Sequence, residues 1–92
     1  MNLNDTIDMM NSNDYKERFK AEYCQLRIRA DKLYNFIVKY DAGTLDFVPD
    51  CSIGLLKDQL SAMHDYLYAL RVRAEIEKIS LDEVEQNEQE KA

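Results

Sequence analysis

A histidine, two cysteines and several carboxylate pairs are the groups here that could carry acid–base, nucleophilic or metal chemistry. None sits in a pattern that supports it. His64 is the single histidine, and its neighbour Asp65 does not orient it, because adjacent residues of a helix point to different sides. Cys24 and Cys51 lie far apart, with no CxxC and no companion histidine pair. They read as free thiols of a reducing compartment, without the constellation that nucleophilic chemistry needs. Asp5 with Asp8, Glu75 with Glu77 and Glu83 with Glu85 fall on polar faces, where hydration accounts for them. No Gly-rich phosphate loop, zinc spacing or nucleophile elbow occurs. The sequence points away from an enzyme and asks for no cofactor and no metal.

Binding chemistry is better represented. Six Tyr and three Phe are many for 92 residues. Tyr23, Phe36 and Tyr40 read as helix core, but Tyr15 and Phe19 lie among Lys16, Arg18 and Lys20. These residues stand at the start of a helix, beside its unpaired backbone amides. An aromatic face, guanidinium groups and a helix N-terminus together suit a nucleotide, with the base on a ring and phosphate on Arg and N–H groups. A second feature is the row Gln59, Tyr66 and Arg73. It repeats every seven residues and is polar where a plain core row would be apolar. Such a stripe beside a seam often sets partner and register in helical assemblies. Here Gln59 and Arg73 would bond across to Glu22 or to another subunit.

The elements that position these groups are helical. Ile53, Leu56, Leu60, Met63, Leu67, Leu70 and Ala74 are spaced three and four apart, which makes a seam along one helix. Tyr15, Phe19, Tyr23, Leu26, Ala30, Leu33, Ile37 and Tyr40 make a matching seam on another. Asp14 is placed to cap the first helix and Asp50 or Ser52 the second. Gly43 suits a left-handed C-cap, and Pro49 bars helix continuation. The expected fold is all-α: an antiparallel two-helix hairpin over 14–80, with helices at about 14–41 and 52–79 and a loop at 43–51. Leu45, Phe47 and Val48 would fold back over its open end. Residues 1–13 are an N-terminal arm or short helix, and 81–92 an acidic tail.

The totals agree. With 2 Gly and 1 Pro the chain lacks the punctuation that strands need. A hairpin leaves the back of each helix uncovered, so association into a homo-oligomer is expected. The formal charge of −6 is unevenly placed, because residues 1–14 carry −3 and 82–92 carry −4. The body is near neutral, and 15–40 is basic at +4. An acidic chain is a poor partner for DNA or RNA, yet a basic helix still suits a small anion. No apolar run reaches the ~20 residues of a membrane span, and the start lacks a signal-peptide pattern. The expectation is a cytoplasmic protein.

Two stretches carry a family resemblance. Residues 15–37, YKERFKAEYCQLRIRADKLYNFI, are similar to the first helix of small phage-encoded helical-hairpin proteins, the Acb2/Tad1-type group and its crAss-like relatives. The matching frame there is Phe19, Glu22, Leu26, Lys32, Leu33 and Phe36. Residues 55–74 resemble the second helix of these proteins through Leu55, Leu56, Gln59, Met63, Tyr66, Leu70 and Arg73. The resemblance implies a counter-defence sponge. Such a protein binds cyclic or ADP-ribose-type nucleotide signals of bacterial anti-phage immunity (CBASS or Thoeris) without cleaving them. It works as a homo-oligomer, commonly a hexamer, in the infected bacterial cell. The ligand-binding candidates are then Tyr15 or Phe19 for the base and Arg18, Lys20 and Arg73 for phosphate. Glu22, Gln59 and Tyr66 would supply hydrogen bonds at a subunit boundary. The alternative is a helical interaction module that blocks a host or phage protein.

Overall fold

The computed structural model describes residues 2–81, all of whose regular elements are helical. A 3-10 turn at Leu3–Thr6 leads into a one-turn helix α1 (Ile7–Met10). Two long helices follow, α2 (Tyr15–Ala42) and α3 (Ile53–Glu77). Their ends follow from local chemistry. Asp14 Oδ1 accepts from the Lys16 N–H at 2.9 Å and satisfies one of the amides that a helix start leaves unpaired. Ser52 Oγ, rather than Asp50, does the same for Leu55 N–H at 3.2 Å. Gly43 closes α2 with φ at +75°, where a residue without Cβ meets no steric penalty. Lys78 closes α3 in the left-handed conformation despite its side chain.

Contacts at both ends define how the long helices lie. Tyr15, at the start of α2, bonds Glu77 at the end of α3. Asp41, near the end of α2, pairs with Lys57 near the start of α3 at 3.3 Å. The two helices therefore run antiparallel. Tyr23 is wholly buried between them, and its hydroxyl accepts from Arg71 Nε of α3 at 3.0 Å and from Arg27 of α2 at 3.4 Å.

The N-terminal segment is a third packing element. Asn2 and Asp5 cap each other reciprocally. Thr6 is fully buried, donating to the Leu3 carbonyl at 2.7 Å and accepting from Gln25 Nε2 of α2 at 2.9 Å. Ala21, Cys24 and Ile28, which share the Gln25 side of α2, are all buried. A bare hairpin would have left that side open.

Burial is uneven along the molecule. The core holds Phe19, Tyr23, Cys24, Ile28 and Ala30 of α2 and Leu67, Leu70 and Ala74 of α3, with Ile79 and Leu81 beyond the end of α3. Toward the 43–52 connection Ile37 is still buried, but Leu33, Ile53, Leu56 and Leu60 of the same seams are only half-covered. Tyr40, expected in the core, is exposed near the end of α2, where the Asp41–Lys57 pair to α3 lies at the surface. The connection covers it only in part. Phe47 meets Phe36 with ring centroids 5.8 Å apart, whereas Val48 is 88% exposed. The acidic stretch beyond residue 81 lies outside the described residues.

This asymmetry has a measurable consequence. Leu70→Ala removes a fully buried side chain and is expected to cost about 2–5 kcal/mol. Leu60→Ala, at a half-covered position, should cost clearly less. Urea denaturation of the two variants tests this, and equal losses would contradict the uneven core.

Candidate functional site

With α2 and α3 in this register, the polar row of α3 lies along the edge of the helix pair that carries Tyr15, Phe19 and Glu22. Arg73 is the centre of the arrangement. Its guanidinium carbon stands 5.0 Å from the centroid of the Phe19 ring, an aromatic face that attracts cations. One Nη donates to the Tyr15 hydroxyl at 2.9 Å, and Nε faces Glu77 Oε2 at 3.4 Å. The Tyr15 hydroxyl in turn donates to Glu77 Oε1 at 2.7 Å, which closes the ring of contacts. Arg73 is thus held from below and from two sides, and its pKa is raised, first by the bond to Tyr15. About half of its side chain stays in contact with solvent. Guanidinium has five N–H donors in a fixed fork, so those that Tyr15 and Glu77 leave over remain available for an incoming acceptor.

Two turns back along α3, Tyr66 donates its hydroxyl proton to Glu22. That bond is the main reason its pKa lies above the ordinary phenol range. Partial burial and the Glu22 charge add to it, and Arg73 acts in the opposite direction. Glu22 is thus taken by Tyr66, and the Gln59 or Arg73 bond to Glu22 expected from sequence does not form. Gln59 is exposed, one step further along the same row.

The remaining expected contacts are distributed differently. Phe19 is 2% exposed with Arg73 over its ring, so within this chain it is a platform for Arg73 and has no free face for a base. Tyr15, 6.2 Å away between centroids and 46% exposed, is the accessible ring. Arg18 reaches back to the Ser12 carbonyl at 2.8 Å and secures the connection that precedes α2. Lys20 is half-buried and has no ion pair among the described residues. No contact joins Arg18 or Lys20 to Arg73. Glu77 was missed from sequence. The i, i+4 spacing of Arg73 and Glu77 is the available signal, although in the sequence hydration alone accounts for that carboxylate.

Of the groups set aside from sequence, His64 is exposed and lines an open recess of about 290 Å³ with Arg27, Asp31, Tyr68 and Arg71. Cys24 and Cys51 are free, the first buried and the second exposed. Among the described residues no cluster of three metal-ligating side chains forms. No helix there is long and apolar enough to cross a membrane. The edge built around Arg73 offers a fixed guanidinium, an exposed phenol ring and a hydrogen-bonded Tyr–Glu pair. Chemically this is equipment for holding an anionic, ring-bearing ligand.

The family model described as Sequestin matches residues 13–76, well over half of the chain. Comparison with curated proteins and with solved structures gave no match. The matched span begins just before the cap of α2 and ends one residue before Glu77, so it takes in both long helices and leaves out the N-terminal helical segment.

The Tyr66–Glu22 bond predicts a pH signature. A phenol whose folded pKa is raised contributes stability that is fully present below its unfolded pKa of about 10. That contribution is lost as pH rises through the higher folded value. Ultraviolet titration of the tyrosines should therefore contain one phenol that ionises above the ordinary range. Glu22→Gln should bring it down. A titration curve that Glu22→Gln leaves unchanged would contradict the assignment.

Proposed function

We propose that this chain, which belongs to the Sequestin family, sequesters a small cyclic or ADP-ribose-type nucleotide and holds it without cleavage. The carrying observation is the pairing of an immobilised Arg73 with the exposed ring of Tyr15. An arginine already fixed by Phe19, Tyr15 and Glu77 has little rotamer freedom left to lose when a phosphate arrives. Arg73 then takes the phosphate and Tyr15 stacks on the base. Bidentate binding of phosphate would displace the 3.4 Å contact with Glu77. Solvent screens an exposed ion pair of this kind and leaves it little net worth, so the exchange costs little. Arg18 and Lys20 contribute to the field around α2 rather than direct contacts, and Tyr66 and Gln59 supply hydrogen bonds at the boundary with another subunit.

The family name is consistent with sequestration. The resemblance of residues 15–37 and 55–74 to phage counter-defence sponges supplies the rest of the reading. The ligand is an immune signal of the infected bacterium, the protein acts in the host cytoplasm, and the working form is a homo-oligomer, with a hexamer favoured. The absence of any base–nucleophile pairing in the sequence supports binding without turnover.

A thermal-shift panel of cyclic di- and trinucleotides and cyclic ADP-ribose isomers tests the proposal. Ligand at a hundred times its Kd should stabilise the protein by about 2.7 kcal/mol. Arg73→Ala should abolish that shift while the circular dichroism spectrum stays helical. No shift with any compound would refute the proposal. A shift that survives Arg73→Ala would move the site elsewhere. The rival reading, a protein-interaction module, predicts counter-defence activity that Arg73→Ala leaves intact.

A further inference from the structure

Gly43 does more than stop α2. The left-handed turn there reverses the chain, and the Thr44 N–H bonds back to the Lys39 carbonyl at 2.9 Å. The connection then returns beside the last turns of α2, and Phe47 meets the Phe36 ring at 5.8 Å between centroids. Between helix and connection this leaves a recess of about 580 Å³, within the size range of small-molecule sites. Lys32, Asn35 and Lys39 line it from α2, and Asp46 and Phe47 line it from the connection.

The polar groups of this recess are not spent on one another. Among the described residues Lys32, Lys39 and Asp46 form no ion pair, whereas nearby Lys57 is taken by Asp41. The two lysines stand seven residues apart on one side of α2, about 10 Å along the helix. Each ammonium is a compact charge on a flexible stem, a common phosphate ligand. The Phe47 ring is 57% exposed and tilted against the half-buried Phe36 ring, so it keeps surface on which a base can stack.

We propose that this recess binds a linear nucleoside di- or triphosphate, with the base on Phe47 and the phosphates on Lys32 and Lys39. One exposed ring takes one base, and two cations spread along a helix match negative charge spread along a chain. Asp46 sets the direction. Its carboxylate repels phosphate and accepts from ribose hydroxyls, which turns sugar and base toward the connection and the phosphates toward α2. The Asn35 amide donates to a phosphate oxygen. The Arg73 edge lies apart from this recess: Phe19 and Phe36 are separated by 17 residues of one helix, or about 26 Å. The inference goes beyond the sequestration proposed above and rests on nothing in it.

Isothermal titration calorimetry of the full chain with ATP, ADP, AMP and adenosine at low salt tests this. Affinity should fall in that order, adenosine should give no heat, and added salt should weaken ATP binding. Lys32→Ala combined with Lys39→Ala should weaken ATP at least ten-fold. Phe47→Ala should weaken ATP but not inorganic tripolyphosphate. All three side chains are exposed, so the helical spectrum should be kept. No heat with ATP, or ATP binding that the double lysine variant leaves unchanged, would overturn the site. Equal affinity for AMP and ATP would overturn the role of the lysines, and a Phe47→Ala variant with wild-type ATP affinity that of the ring. The double lysine variant should also keep any thermal shift given by the cyclic compounds. ATP binding as described with no shift from any cyclic compound would refute sequestration and leave this site standing, and the reverse pattern would refute this site alone.

Discussion

The hydroxyl of Tyr23 is the polar point on which the helix pair is registered. Tyr23 is completely excluded from solvent, yet its oxygen accepts from Arg71 across the helix boundary and from Arg27 on its own helix. A buried phenol left without a partner costs about 1–3 kcal/mol, so a slide of α3 along α2 is penalised at this position even where apolar side chains would tolerate it. The register that results sets Tyr66 opposite Glu22, Arg73 over Phe19, and Glu77 beside Tyr15. Moving α3 by one turn, about 5.4 Å, would separate all three contacts together. The Arg73 edge is a by-product of how the core is aligned.

Two helices bury one stripe each, and the remaining faces must be covered by something else. At the end that carries Tyr23, the N-terminal segment covers one side of α2, and Ile79 and Leu81 extend the core past α3. The site sits at this better-packed end, where Phe19 is immobile and holds Arg73 in place. A rigid support for a charged side chain is what precise placement of a phosphate contact requires. At the other end the seams stay half-covered, and along α3 an apolar row faces outward. A helical protein of this size has more apolar surface than its own fold can cover, which is the physical ground for the homo-oligomer proposed above.

Much of this was legible in the sequence, for physical reasons that also explain what was not. Cap residues and three-four spacing act locally, so Asp14, Gly43, Ser52 and the two seams placed both long helices to within a residue or two. The docking of residues 3–10 was harder to read, because it depends on one long-range bond from Gln25 to a buried Thr6. The site residues split in the same way. Tyr15, Phe19 and Arg73 were recognised as types suited to a nucleotide. Sequence could not say that Phe19 lies beneath Arg73 with its ring occupied, because burial is decided by the partner helix. Nor could it say that Arg18 turns to the Ser12 carbonyl, or that Glu22 is claimed by Tyr66. Glu77 escaped notice because an acid on a polar face looks hydrated until the opposing tyrosine is placed.

Sequestration as proposed above requires that the Arg73 edge hold a nucleotide and leave it whole. Its most direct measurement is to load the protein with a cyclic nucleotide or cyclic ADP-ribose isomer that binds, remove free ligand, denature the complex by heat and chromatograph what is released. Sequestration returns the starting compound, intact and in fixed proportion to protein. Release of a linearised or hydrolysed product, or of no nucleotide at all, would contradict it.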